Sequence, residues 1–198
     1  MTLRIGIDFD NTLASYDGVF YQAALEKKLI PADLPHSKGA VRDYLRSIGK
    51  EDAWTELQGY IYGARMDLAQ PYSGADRFLA LCQKKAIPAY IISHKTKHPF
   101  LGPRYDLHEA AKSWLTALPF STPPAFFELT LKQKLERIAL QQCTVFIDDL
   151  PELLAEKEFP PQVEKILFDP HGLYAPHPRY FYAASWDQIS EHLFAHGS

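Results

Sequence analysis

The sequence is poor in cysteine. Its 198 residues include 2, Cys82 and Cys143, both in apolar strand-like or helical contexts and without metal-ligand spacing. That argues against a disulfide and against a zinc site, and leaves two buried thiols as the expectation. Long apolar runs are missing as well. No stretch approaches the ~20 residues of a membrane span. The opening MTLRIGIDFD is interrupted by Arg4 and Asp8, so it lacks the unbroken apolar segment of a secretory signal. A cytoplasmic protein without a membrane partner is expected. Nor is there an excess of positive charge, since 21 Lys and Arg against 24 Asp and Glu leave a net charge of −3. Without a general basic field, no nucleic-acid partner is expected. The 8 His show no metal-ligand pattern such as H-E-x-x-H. Internal repeats and low-complexity segments are absent too.

What is present is an ordinary globular composition, 46% hydrophobic and 23% charged, with room for one real core and a sizeable insertion. Apolar runs recur at 3–7, 89–92, 125–127, 144–147 and 165–168, continuous rather than alternating, as suits strands buried on both faces. A last short strand is expected near 180–183 and a final helix from about Trp186. Ser73 is placed to cap a helix whose face carries Ala75, Phe78, Leu79 and Cys82, and Leu131, Leu135 and Ile138 line another. Strand and helix thus alternate from residue 71 onward, which predicts an α/β fold: a parallel sheet covered by helices, with its ligand at the carboxyl ends of the strands. Residues 15–70 break that rhythm with three helical segments and no convincing strand, and read as an inserted helical cap. The expected division is a core of 1–14 and 71–198 around that insertion.

The chemistry concentrates at strand ends. Asp8-Phe9-Asp10-Asn11-Thr12 leaves the first strand, and Asp148-Asp149 follows Val145-Phe146-Ile147. In a parallel sheet both ends open on one edge, where four carboxylates would repel one another unless a hard divalent cation such as magnesium joined them. Ser93 follows a third strand end, where a hydroxyl can hold an anionic oxygen. From an early position on its helix the Lys134 ammonium can reach the same edge.

These residues resemble the four ordered motifs of the haloacid dehalogenase-like (HAD) superfamily. Ile5-Gly6-Ile7-Asp8-Phe9-Asp10-Asn11-Thr12 matches its apolar strand followed by D-x-D-x-T, and Tyr90-Ile91-Ile92-Ser93 its strand ending in Ser or Thr. Lys134 matches its lone lysine and Phe146-Ile147-Asp148-Asp149 its strand ending in an acidic pair. The resemblance covers 1–14 and 71–198, and the helical region sits where many members insert a cap. It implies a Rossmann-like sheet with helices on both faces. It further implies Asp8 as a nucleophile forming an aspartyl-phosphate, Asp10 as general acid/base, and Ser93 and Lys134 as phosphate-binding groups; His94, next in the chain after Ser93, is placed to meet an anionic group of the substrate as well. Magnesium would be held by Asp8, the Asp10 carbonyl, Asp148 and Asp149. An acid at position 10 is typical of the family's phosphatases and phosphomutases, so the implied function is a magnesium-dependent phosphatase acting on a small phosphorylated metabolite, such as a nucleotide or sugar phosphate. A phosphomutase and a non-catalytic phosphate-ligand-binding protein are the alternatives. A narrower resemblance to the deoxyribonucleotidase-like branch rests on the cap and the I-D-D ending, and nothing in the cap marks a base-binding pocket.

Each feature also has a plainer reading. D-x-D after a strand serves turns, and Asp148-Asp149 is placed to cap a helix beginning near Pro151. Lys132 competes with Lys134 for the third motif, but points roughly 200° away around the helix. Lys95 and Lys97 sit where a second anionic group of a substrate would be met, although a solvated loop is the simpler expectation for them and for His94. Asp169 reads as a turn acid before Pro170. Trp54, Tyr60 and Tyr62 are expected mostly to pack the insertion's own core.

Overall fold

The continuous β-forming runs make the centre of the protein. The computed structural model describes residues 2–195. Its strands are β1 (Ile5–Ile7), β2 (Ala14–Ser15), β3 (Gln70–Pro71), β4 (Ala89–His94), β5 (Ala125–Glu128), β6 (Val145–Asp148), β7 (Glu164–Phe168) and β8 (Phe181–Ala183). β2 and β3 pair as a two-stranded sheet, and the other six form one parallel sheet in the order β5-β4-β1-β6-β7-β8. Successive strands therefore run outward from β1 to β5, then cross back to β6 and run outward the other way. That reversal beside β1 is the topological switch point, where open α/β sheets form a crevice outside the strand carboxyl ends.

The helices are α1 (Val19–Glu26), α2 (Lys38–Ser47), α3 (Glu51–Ala64), α4 (Ala75–Lys84), α5 (Leu107–Ala117), α6 (Leu131–Leu140), α7 (Pro151–Leu154) and α8 (Trp186–Phe194), with a 3₁₀ turn at Met66–Leu68. α6 begins on a capping box: Gln133 N–H donates to Thr130 Oγ1 at 3.2 Å and Thr130 N–H to Gln133 Oε1 at 3.1 Å. Its inner face supplies Leu135 and Ile138 to a core shared with Ile92, Phe146, Leu153, Leu154, Phe159 and Leu167. α4 starts differently from the sequence expectation. Its N-cap is Gly74, in the left-handed region at φ 90°, and not Ser73; the chain turns into the helix through backbone that only glycine adopts without strain. Both cysteines are buried, and burial pushes their thiols up, to about 12 for Cys82 and about 11 for Cys143.

The described residues form two compact units. One comprises 2–14, 71–94 and 119–195, and contains the six-stranded sheet; the other comprises 15–70 and 95–118. The helical unit is thus larger than the insertion expected from the sequence, since 95–118, with α5, belongs to it. The reason lies in two glycines of α3. A Cβ on Gly59 would meet Pro99 at 2.5 Å and one on Gly63 would meet Tyr105 at 2.4 Å, so the bare backbone lets this second segment dock closely. Trp114 of α5 then donates its indole N–H to the Ala69 carbonyl at 2.9 Å. Phe20 of α1 packs on Trp54 at 5.2 Å and Tyr62 at 5.9 Å between ring centroids, so these two aromatics build the unit's own core. Among the described residues, no helix is long and apolar enough to cross a membrane.

Candidate active site

β1 and β6 are direct neighbours, with Ile7 in register with Ile147. Asp8 continues β1 by donating its N–H to the Ile147 carbonyl at 2.9 Å, which sets it level with Asp148 at the switch point. The chain then folds into a tight loop. Leu13 and Ala14 N–H groups both donate to the Phe9 carbonyl, at 3.1 and 2.9 Å, and Asn11 takes φ 60°, a left-handed conformation that asparagine tolerates better than most residues. This loop carries Asp10, half-buried, and Thr12, fully buried. Thr12 Oγ1 donates to Asp149 Oδ1 at 3.4 Å.

Lys134 completes the centre from α6. Its ammonium lies 2.5 Å from Asp8 Oδ1 and 2.6 Å from Asp148 Oδ2, and all three side chains are buried. Lys132 points away: its side chain is 77% exposed and lies 3.9 Å from Glu136. Burial pushes Asp8 up to about 7, against the pull of the Lys134 ammonium, while the nearby charges of Asp148 and Asp10 add to the rise. For Lys134 burial works downward, but Asp148 and Asp8 outweigh it and hold the ammonium above its ordinary value. The lysine is therefore charged, and it links the ends of two central strands.

One oxygen from each of Asp8, Asp148 and Asp149 lies within 4.8 Å of the others. An all-oxygen donor set of this kind fits magnesium, which keeps several waters and takes one or two carboxylates together with phosphate oxygens. Lys134 alone does not neutralise three carboxylates. Asp148 is oriented from both sides, because its Oδ1 accepts the Leu150 N–H at 2.9 Å while its Oδ2 meets the lysine. The acidic pair does not serve as a side-chain N-cap of α7, whose N-cap is Leu150.

The other expected residues divide. Ser93 is buried at the end of β4, in register with Phe127, whereas His94 is exposed. Lys95 departs from the solvated-loop expectation. It belongs to the helical unit, is 5% exposed, and its ammonium lies 4.7 Å from the centroid of the Tyr62 ring; Lys97 is exposed. Asp169 is a turn acid. Its carboxylate accepts the N–H groups of Leu173 at 3.0 Å and Tyr174 at 2.8 Å and the Tyr182 hydroxyl at 3.2 Å. The residue that sequence reasoning passed over is Thr12, quoted within the first motif but given no work to do.

No protein-family model matches the chain, and no curated protein matches its sequence. Similarity appears in three dimensions. A predicted phosphatase from Clostridium acetobutylicum superposes with a TM-score of 0.63 over 98% of this chain and 99% of its own, at 13% identity. A HAD family hydrolase from Deinococcus radiodurans, with bound phosphate and sodium, superposes at 0.58 over 97% and 95%, again at 13% identity. The fold is that of the HAD superfamily. A HAD-hydrolase from Bacillus subtilis bound to magnesium is also similar, at a TM-score of 0.54, 11% identity and 98% and 100% coverage. At such identities the HAD likeness speaks for the fold, and the chemistry rests on the side chains just described.

Proposed function

We propose that this protein is a magnesium-dependent phosphatase that hydrolyses a small phosphorylated metabolite through a phosphoryl group carried on Asp8. The observation that supports this reading above the others is the buried Lys134 ammonium, 2.5 Å from Asp8 and 2.6 Å from Asp148. A carboxylate nucleophile and a dianionic phosphoryl group repel each other, and a fixed cation between strand ends offsets that repulsion without reorganising during the reaction. Asp8, Asp148 and Asp149, with the Asp10 carbonyl, would hold magnesium. Its contribution when bound is to withdraw charge from the phosphoryl oxygens.

The remaining steps belong to the chain's own groups. An Asp8 oxygen attacks phosphorus and the ester oxygen leaves, taking a proton from the Asp10 carboxyl. Asp10, now ionised, accepts a proton from water as that water attacks the phosphorylated Asp8, which returns the free carboxylate and inorganic phosphate. Splitting one difficult hydrolysis into two displacements lowers each barrier. The Ser93 hydroxyl donates to a phosphoryl oxygen, and Lys134 stays protonated throughout. His94, exposed at the end of β4, is the outermost of the phosphate-binding candidates. The phosphate-bound and magnesium-bound HAD neighbours support this choice of ligands by analogy of fold.

The test is turnover of p-nitrophenyl phosphate with magnesium and after chelation, followed by a panel of nucleotide and sugar phosphates. Magnesium-dependent release of stoichiometric phosphate is the expected result. No turnover of any ester in the panel with any divalent metal defeats the proposal.

A further inference from the structure

Trp186 opens α8 and takes no part in the chemistry above. It is fully buried, with its ring against Phe78 of α4 at 4.9 Å and Phe168 of β7 at 5.6 Å. Backbone crowding fixes it further: a Cβ on Gly74 would meet Trp186 Cβ and Asp187 Oδ1 at 3.2 Å each. A ring held on so many sides has one direction for its N–H. That N–H donates to the carbonyl of Thr12 at 3.3 Å, across 174 residues of sequence.

Thr12 has no exposed surface, so its carbonyl does not exchange one partner for bulk water. The same residue's hydroxyl donates to Asp149 at 3.4 Å. The next carbonyl, that of Leu13, is held in the same way by the Tyr72 N–H at 3.0 Å, and Tyr72 packs on Phe168 at 5.0 Å. The bonds to Thr12 and Asp149 are long, so what they supply is alignment more than strength.

We propose that Trp186 is a positioning residue for the acidic cluster: its indole N–H fixes Thr12, and the Thr12 hydroxyl thereby holds Asp149 in place beside Asp8 and Asp148. This rests on the magnesium site proposed above, but uses a residue from the far end of the chain. Outer partners of metal ligands set ligand orientation, and their loss typically costs metal affinity.

A double-variant cycle on the full chain tests it, with Trp186→Phe and Thr12→Val made singly and together. Trp186→Phe keeps an aromatic ring between Phe78 and Phe168 and removes the N–H; Thr12→Val keeps the shape and removes the hydroxyl. Calorimetric titration with magnesium chloride alone is the primary reading, beside thermal melting and p-nitrophenyl phosphate turnover. Each single variant should weaken magnesium binding by about 10-fold, and the double variant no further than the weaker single one. Additive losses, or a Trp186→Phe variant with wild-type magnesium affinity whatever its melting temperature, overturn the proposal. Should Trp186→Phe not fold, 3-benzothienylalanine at position 186 keeps the bicyclic ring while replacing N–H by sulfur, and the same outcomes apply. Wild-type turnover with uncoupled variants defeats the positioning role alone. Coupled magnesium losses in a protein that hydrolyses no phosphate ester defeat only the phosphatase reading, and a wild type that binds no magnesium defeats both.

Discussion

Lys134 and Lys132 leave the same helix on different sides: the first is buried between Asp8 and Asp148, the second is 77% exposed beside Glu136. Lys134→Ala strips the compensating charge from two buried carboxylates. Breaking a buried pair in this way costs about 3–5 kcal/mol, so the metal-free variant should melt well below the wild type, and turnover should fall on the order of 10²–10³-fold. Lys132→Ala should stay within about 0.5 kcal/mol and retain activity. Melting curves and steady-state rates on the two variants check the pair.

Asp8 gives a pH signature. Its folded value of about 7 lies above the ordinary 3.8, so between those values the folded protein holds a proton that the unfolded chain releases. Without metal, this group's contribution to stability therefore falls as pH rises from about 4 to 7. The Asp8→Asn variant lacks that loss: in chelator its melting temperature should gain on the wild type's from pH 5 to pH 8, while its turnover is abolished. If magnesium is bound as proposed, it competes with the same proton, and its affinity for the wild type should drop about tenfold per pH unit below pH 7. Calorimetry at pH 6 and pH 8 reads this directly.

Asp10→Asn separates proton transfer from metal binding. The expected metal contact is the backbone carbonyl, which the substitution leaves intact. Turnover should fall by about 10²–10⁴-fold, the usual share of general acid/base catalysis, with magnesium affinity unchanged by titration.

Asp169 offers the contrasting case of a buried strand-end acid with a structural task. Asp169→Ala leaves the Leu173 and Tyr174 N–H groups and the Tyr182 hydroxyl without their acceptor, and should cost about 2–4 kcal/mol of stability in a denaturant titration. Magnesium affinity should stay within about twofold, since removal of bonds that only hold a turn leaves the metal ligands alone.

The core of this fold was legible because its strands are continuous apolar runs that end in acids. Ile5-Gly6-Ile7 before Asp8 and Val145-Phe146-Ile147 before Asp148 mark both strand and site at once. Lys134 was legible for a related reason, since it stands within the Leu131, Leu135 and Ile138 stripe of α6, where a charged group is buried only with partners. Three features were hidden. The docking of 95–118 on the helical unit depends on close approach at Gly59 and Gly63, and isolated glycines in a helical pattern carry no such label. Lys95 follows exposed His94 in a polar stretch, and the ring its ammonium faces, Tyr62, lies 33 positions earlier on another helix. The bond from Trp186 to Thr12 joins residues 174 apart, and no local pattern encodes a partner at that distance.

The return of the chain to β1 also dictates when the site can exist. Asp8, Asp10 and Ser93 are all synthesised within the first half of the chain, yet their cationic and acidic partners lie on α6 and β6. A nascent or truncated chain ending before β6 has Asp8 without Lys134's other charge partner, Asp148, and the central strand β1 with one side unpaired. Pairing of such distant segments comes late and slows folding. The cluster is thus assembled only when β6 pairs with β1, so any ion it binds stabilises the folded state alone and shifts the equilibrium toward it by mass action.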